Sequence, residues 1–152
     1  MKVFRIAAVP FAKTRAEAFS GKGGLQASAR WHTAPQLIVY TAQSLSLAAL
    51  EILVHLKQTK DIRPFHAFAA EIPEDLIIKP VSYPAHWQNK LTVSRAFGDD
   101  WLKAKSSPAL LVPTVITPGE WIVLLNPVHP AFSLDWIIDG PHTHAFDARL
   151  LR

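Results

Sequence analysis

Residues 2–8, KVFRIAA, place Phe4 and Ile6 on one side and Val3, Arg5 and Ala7 on the other, a period of two that predicts a strand. QLIVYT (36–41) is a second, short β-rich run. From 45 to 56 the pattern becomes a sustained apolar stretch, LSLAALEILVHL, broken only by Ser46, Glu51 and His55. Ser44 can offer its hydroxyl oxygen to the free amides of a first turn, so a helix from Ser44 to about Lys57 is predicted. FHAFAAEI (65–72) and DLIIK (75–79) read as strands around a proline-containing turn. GDDWLKAK (98–105) opens acidic and ends basic, the charge order that suits the dipole of a short helix. ALLVPTVI (109–116) and EWIVLL (120–125) read as strands joined by the turn TPGE, and Pro113, lacking an amide hydrogen, marks an edge, a bulge or an end. The glycine-rich 20–29 is a loop, NPVHP (126–130) a rigid turn, and HAFDARLL (144–151) closes the chain. Strands outnumber helices without alternating regularly with them. The expected fold class is therefore α+β, one compact domain over 1–152 with a mixed or antiparallel sheet and a few helices.

Composition narrows the function classes. A 152-residue chain with 49% hydrophobic and 18% charged residues can bury a core and is not of the disordered kind. The net charge of +4 is scattered, with no run of five or six like charges, which argues against direct nucleic-acid binding but favours an anionic small ligand. The absence of cysteine excludes disulfides and thiolate metal sites and fits a reducing cytoplasm. No stretch reaches the roughly 18 consecutive apolar residues of a membrane span. The first twenty residues begin basic and carry an A-x-A at 16–18, but Pro10, Lys13 and Arg15 break the apolar run that a signal peptide needs, so the segment reads as mature protein.

Glu51 is the odd residue. Leu47, Ala48, Val54 and His55 occupy its neighbouring helical positions, and a carboxylate among leucines must meet a cation, hydrogen-bond donors or a cleft. Such a group can form a structural ion pair, or stabilise a developing cation in a site. Arg5 shares a strand face with apolar residues, and Arg30 adjoins Trp31 after the glycine-rich loop; guanidinium forks bind phosphates in pairs of hydrogen bonds, though two ordinary surface arginines would look the same. SGKGG (20–24) lacks the spacing and the terminal Lys-Ser/Thr of a P-loop. HTH (142–144), with His129, Asp139 and Asp147, lacks further ligands at a recognised metal spacing, so no metal is expected. The five tryptophans read as core and groove walls.

FRI (4–6), SGKGG…ARW (20–31), LIVYTAQSLSLAALEILVHL (37–56), GDDWL (98–102), LLVPTVI (110–116), LLNPVHPAF (124–132) and FDARLL (146–151), in this order, resemble the RES-domain family over nearly the whole chain. The family's members are toxins of bacterial toxin–antitoxin pairs, with a fold similar to ADP-ribosyltransferases and NAD⁺ as substrate rather than as a resident cofactor. The resemblance implies a type II toxin that breaks the nicotinamide–ribose bond by phosphorolysis, hydrolysis or ADP-ribosyl transfer. It implies a cytoplasmic location and an Xre-like helix-turn-helix antitoxin as partner, and leaves a homodimer open. It maps the family's glutamate to Glu51, its arginine to Arg5 with Arg30 as a second basic position, an aromatic near the nicotinamide to Tyr40, and its serine to Thr114. Arg5, Tyr40, Glu51 and Thr114 are then catalytic, and Arg5, Arg30, Trp31, Tyr40, Thr114 and Asn126 bind NAD⁺. Two elements depart from the family pattern: PT (113–114) stands for PS, and SARWH (28–32) for GGRWN. A non-catalytic NAD- or protein-binding module on the same scaffold is the alternative reading, and a histidine–aspartate metal hydrolase a more distant one.

Overall fold

The computed structural model describes residues 1–56 and 63–151. A seven-stranded sheet takes strands from the whole length of the chain: β1 (Lys2–Ala8), β2 (Val39–Ala42), β3 (Phe65–Glu71), β4 (Ile77–Ile78), β5 (Ala109–Pro113), β6 (Trp121–Leu125) and β7 (Ile137–His144). Their order across the sheet is β4-β5-β6-β2-β1-β3-β7, antiparallel except for the parallel pair β4–β5. The helices are α1 (Arg15–Ala18), α2 (Gly23–Gln26), α3 (Leu45–Leu53) and α4 (Leu91–Ala104). This is the expected α+β class with a mixed sheet. No helix among the described residues is long and apolar enough to cross a membrane.

The central strands are buried on both faces, which is why β5 and β6 read as unbroken apolar runs. Val3, Val39, Phe68, Leu111, Val123 and Leu125 point into one apolar layer, closed by Ala18 and Phe19 at the end of α1. Ile6, Ala42, Leu110, Val112, Ile122 and Leu124 point into the other, under Leu47 and Ala48 of α3 and Trp101 and Leu102 of α4. Residues alternate between these layers with the period of two that the pleat requires. The segment 2–8, read as mature protein, is an interior strand, hydrogen-bonded to β2 and β3.

Several boundaries move. Ser44 caps α3 as expected, its Oγ accepting from the Leu47 amide at 3.0 Å, but the helix ends at Leu53, and Lys57 lies outside the described residues. Pro113 ends β5, opposite Trp121, so the strand stops short of the expected 116. The strand expected over 75–79 contracts to Ile77–Ile78 behind a 3₁₀ turn. The short helix expected at 98–105 is a fourteen-residue helix that starts at Leu91. β7 is missing from the sequence pattern. Its stretch IIDGPHTH is mostly exposed and polar; pairing with β3 is what makes it a strand. Gly140 is required there: its φ is +99°, and a Cβ would sit 2.6 Å from the Ala67 carbonyl oxygen.

Candidate active site

Glu51 sits on the last turns of α3, over the open end of β5, where Thr114 follows Pro113. Thr114 is buried, and its hydroxyl donates to Glu51 Oε1 at 2.8 Å while accepting from the Ile116 amide at 3.1 Å. The hydroxyl's one proton is thereby committed to the carboxylate and fixes one of its oxygens, while a second acceptor lone pair on Thr114 stays open. The other carboxylate oxygen, Oε2, makes no hydrogen bond among the described residues. The odd carboxylate of the apolar helix thus faces a cleft and meets a donor there. Thr114, expected at the substrate, lines the cavity and also holds Glu51.

Both residues line a cavity of about 670 Å³, shared with Tyr40, Trp31, His32 and Arg95. Tyr40 projects from β2 and ends in a polar chain. The Trp31 amide donates to its hydroxyl at 3.2 Å, and the hydroxyl lies 2.8 Å from His32 Nδ1. His32 Nε2 lies 3.3 Å from the Gly24 carbonyl, which can only accept, so the neutral ring carries its proton on Nε2 and its Nδ1 accepts a hydrogen bond from the Tyr40 hydroxyl. Burial lowers the His32 pKa and keeps the ring neutral at pH 7, and burial raises that of Tyr40, whose phenol stays protonated.

The loop carrying Trp31 is held by one face of α4. Ser94 Oγ donates to the Arg30 carbonyl at 2.6 Å, Arg95 Nε to the Ala29 carbonyl at 2.8 Å, and Asp99 Oδ1 accepts from the Thr33 amide at 2.8 Å. Gly98, between them, lets the helix backbone touch the loop: a Cβ there would lie 1.7 Å from the Trp31 carbonyl oxygen. GDDWL is therefore a docking surface for the loop. Trp31 itself is buried, stacked on Trp87 with ring centroids 5.2 Å apart and set edge-on to Tyr83 and Phe97.

The structure brings Arg5, Arg30, Trp31, Tyr40, Glu51 and Thr114 to one cavity wall, but the two arginines have other partners. Arg5 donates from Nε to the Ala18 carbonyl at 2.6 Å and from Nη1 to the Tyr40 carbonyl at 3.0 Å, tying β1 to β2 and to α1. Burial pushes its pKa down to about 10, so it stays charged at pH 7. Arg30 donates from Nη1 to the carbonyls of Gln88 and Trp87, at 3.0 and 3.4 Å. Asn126 does not join the cavity. It is buried after β6, its Oδ1 accepts from the Val128 amide at 3.2 Å, and it borders a separate recess with Gln36, Asp99 and Lys103. The family resemblance puts it among the NAD⁺-binding residues, whereas its position past the end of β6 faces the other recess.

Sequence reasoning misses Arg95 and the part played by His32. Arg95 is hidden by the helix boundary: only once α4 reaches back to Leu91 do Ser94, Arg95, Gly98 and Asp99 fall on one face, at spacings of three and four. On β7, His142 Nε2 lies 2.6 Å from Asp139 Oδ1, and among the described residues no three metal-ligating side chains converge.

A family model described as the RES domain matches residues 2–147. The chain belongs to the RES-domain family. A relative named Toxin Res, from Yersinia enterocolitica, is 33% identical over 139 residues, covering 89% of this chain and 91% of that one. A second, named Prs ADP-ribosylating toxin, from a Sphingobium species, is 34% identical over 122 residues, 76% of each chain. Among solved structures, a chain of the M. tuberculosis MbcT–MbcA toxin–antitoxin complex superposes with a TM-score of 0.59 at 14% identity, over 82% of this chain and 72% of that one. At that identity the likeness is one of fold, and it places the RES-family chain on a scaffold already seen in a toxin–antitoxin complex.

Proposed function

We propose that this RES-family chain is the toxin of a toxin–antitoxin pair and that it cleaves the nicotinamide–ribose bond of NAD⁺ in the cytoplasm, held in check by a cognate antitoxin of the Xre-like helix-turn-helix type. The observation that carries the reading is Glu51 at the cavity wall, with one oxygen fixed by Thr114 and the other without a hydrogen bond among the described residues. As the C1′–N bond breaks, its electron pair passes to the pyridinium nitrogen, nicotinamide leaves neutral, and positive charge spreads over the ribose ring. A carboxylate already oriented at that face stabilises this charge without reorganising. An acceptor oxygen then supplies the pair for the new C1′–O bond, and any proton it carries passes to the free Glu51 oxygen. Phosphate, water and a protein side chain all suit this step. The Sphingobium relative, named for ADP-ribosylation, supports a side chain.

The test is NAD⁺ loss and nicotinamide release by the purified protein, with and without phosphate. Glu51→Gln keeps the volume and still accepts from Thr114 but lacks the charge. Its kcat should fall by about 10²–10³, the cost of one lost electrostatic contact of about 3–4 kcal/mol in a transition state. Wild-type turnover in a folded Glu51→Gln protein would end the assignment. A protein that binds NAD⁺ and leaves it intact would be the non-catalytic module.

A further inference from the structure

The cavity needs a cation for any ligand that carries phosphate, and three arginines border it. Two of them are engaged elsewhere. Arg5 braces β1 against β2 and α1 through two backbone carbonyls, and the Ala18 carbonyl it binds belongs to the apolar layer on the far side of the sheet from Tyr40. Arg30 binds the carbonyls of Trp87 and Gln88, in the segment that leads into α4. Arg95 differs from both. Only its Nε is engaged, by the Ala29 carbonyl, and among the described residues its two terminal nitrogens have no hydrogen-bond partner and no carboxylate lies within ion-pair distance. Asp99, one turn further along α4, would be its natural partner, but Asp99 Oδ1 accepts from the Thr33 amide and from Gln36 Nε2.

We propose that Arg95 is the phosphate-binding cation of this cavity: its guanidinium, oriented through Nε by the loop it docks, offers a fork of two free nitrogens to phosphate oxygens. Ala29, whose carbonyl holds Arg95, and the neighbouring Ser28 line the same cavity. A half-buried guanidinium held by one bond is prepared for a bidentate anion, because its plane is set before the ligand arrives. Glu51, Tyr40 and Arg95 all line this one cavity, so a ligand in it meets both a carboxylate and a guanidinium. The proposal rests on the NAD⁺ reading for its ligand, since phosphate oxygens there come either from the dinucleotide's pyrophosphate or from an inorganic phosphate acceptor.

Calorimetric titration of the whole protein with ADP, inorganic phosphate and adenosine tests this without requiring turnover. Wild type should bind ADP or phosphate. Arg95→Gln should weaken that binding tenfold or more, Arg95→Lys severalfold, and neither should change the titration with adenosine, which has no phosphate. Loss with ADP identifies the pyrophosphate as the source, and loss with inorganic phosphate alone identifies the acceptor. Arg95→Lys keeps the charge and serves as the deciding variant if the glutamine protein does not fold. Unchanged binding of both anions in the folded variants, or binding of neither by wild type, overturns the proposal. Arg95-dependent ADP binding in a protein that leaves NAD⁺ intact would sink the cleavage reading alone, whereas NAD⁺ cleavage with an unaltered KM in Arg95→Gln would sink this one alone.

Discussion

Thr114→Val is a volume-conserving change at a buried site with large chemical consequences. The valine keeps the β-branched shape that fits after Pro113 but deletes a hydroxyl that makes two hydrogen bonds, 2.8 Å to Glu51 and 3.1 Å from the Ile116 amide. Loss of a bond to a charged group costs about 1.5–3 kcal/mol and of a neutral one about 0.5–1.5 kcal/mol when the stranded partner stays dry. Glu51 is half-buried and recovers water through the cavity, so the net loss of stability should lie near 2 kcal/mol. For a domain of this size that lowers Tm by roughly 4–8 °C. Catalysis suffers separately, because a carboxylate released from its donor must be re-oriented in each turnover; a tenfold fall in kcat corresponds to about 1.4 kcal/mol. Thr114→Ser is the matched control. It retains both bonds and loses one buried methyl, worth about 0.8 kcal/mol, so its kcat should stay near wild type. The assays are thermal unfolding and initial rates of nicotinamide release, with KM and kcat separated. Equal kcat and equal Tm in the serine and valine proteins would refute the claim that Thr114 orients Glu51.

Gly98→Ala should destabilise the protein by about 1–3 kcal/mol, because a Cβ at 1.7 Å from the Trp31 carbonyl forces α4 and the 29–33 loop apart. An alanine in a helix interior would otherwise stabilise by about 1 kcal/mol, so a raised Tm would show that the close approach is absent. The buried neutral His32 makes stability pH-dependent. Its folded pKa lies below the ordinary 6.5, so the unfolded chain binds the extra proton first; the contribution is complete above that value and is lost as pH falls below it. Tm measured from pH 7.5 to 5 should fall with a slope that His32→Gln reduces, one group contributing at most about 1.4 kcal/mol per pH unit. An identical slope in both proteins would mean that His32 does not carry the effect.

What the sequence determined by itself is local. The alternation of 2–8, the apolar runs of β5 and β6 and the cap at Ser44 are each encoded within a few residues, because backbone periodicity and a cap need no distant partner. Glu51 stands out for the same reason: the cost of burying it shows in its neighbours. The ordered motifs carried the family, and with it most of the cavity wall. Tertiary structure decided the rest. β7 is a strand because β3 offers it an edge, not because its own residues prefer one. Thr114 and Glu51 are 63 residues apart, and nothing short of the packing of α3 over the end of β5 says that the hydroxyl meets the carboxylate. Asn126 lies outside the cavity and Arg95 lines it for one shared reason: contiguity along the chain says where a motif is, whereas the register of a strand and the reach of a helix say what its side chains face.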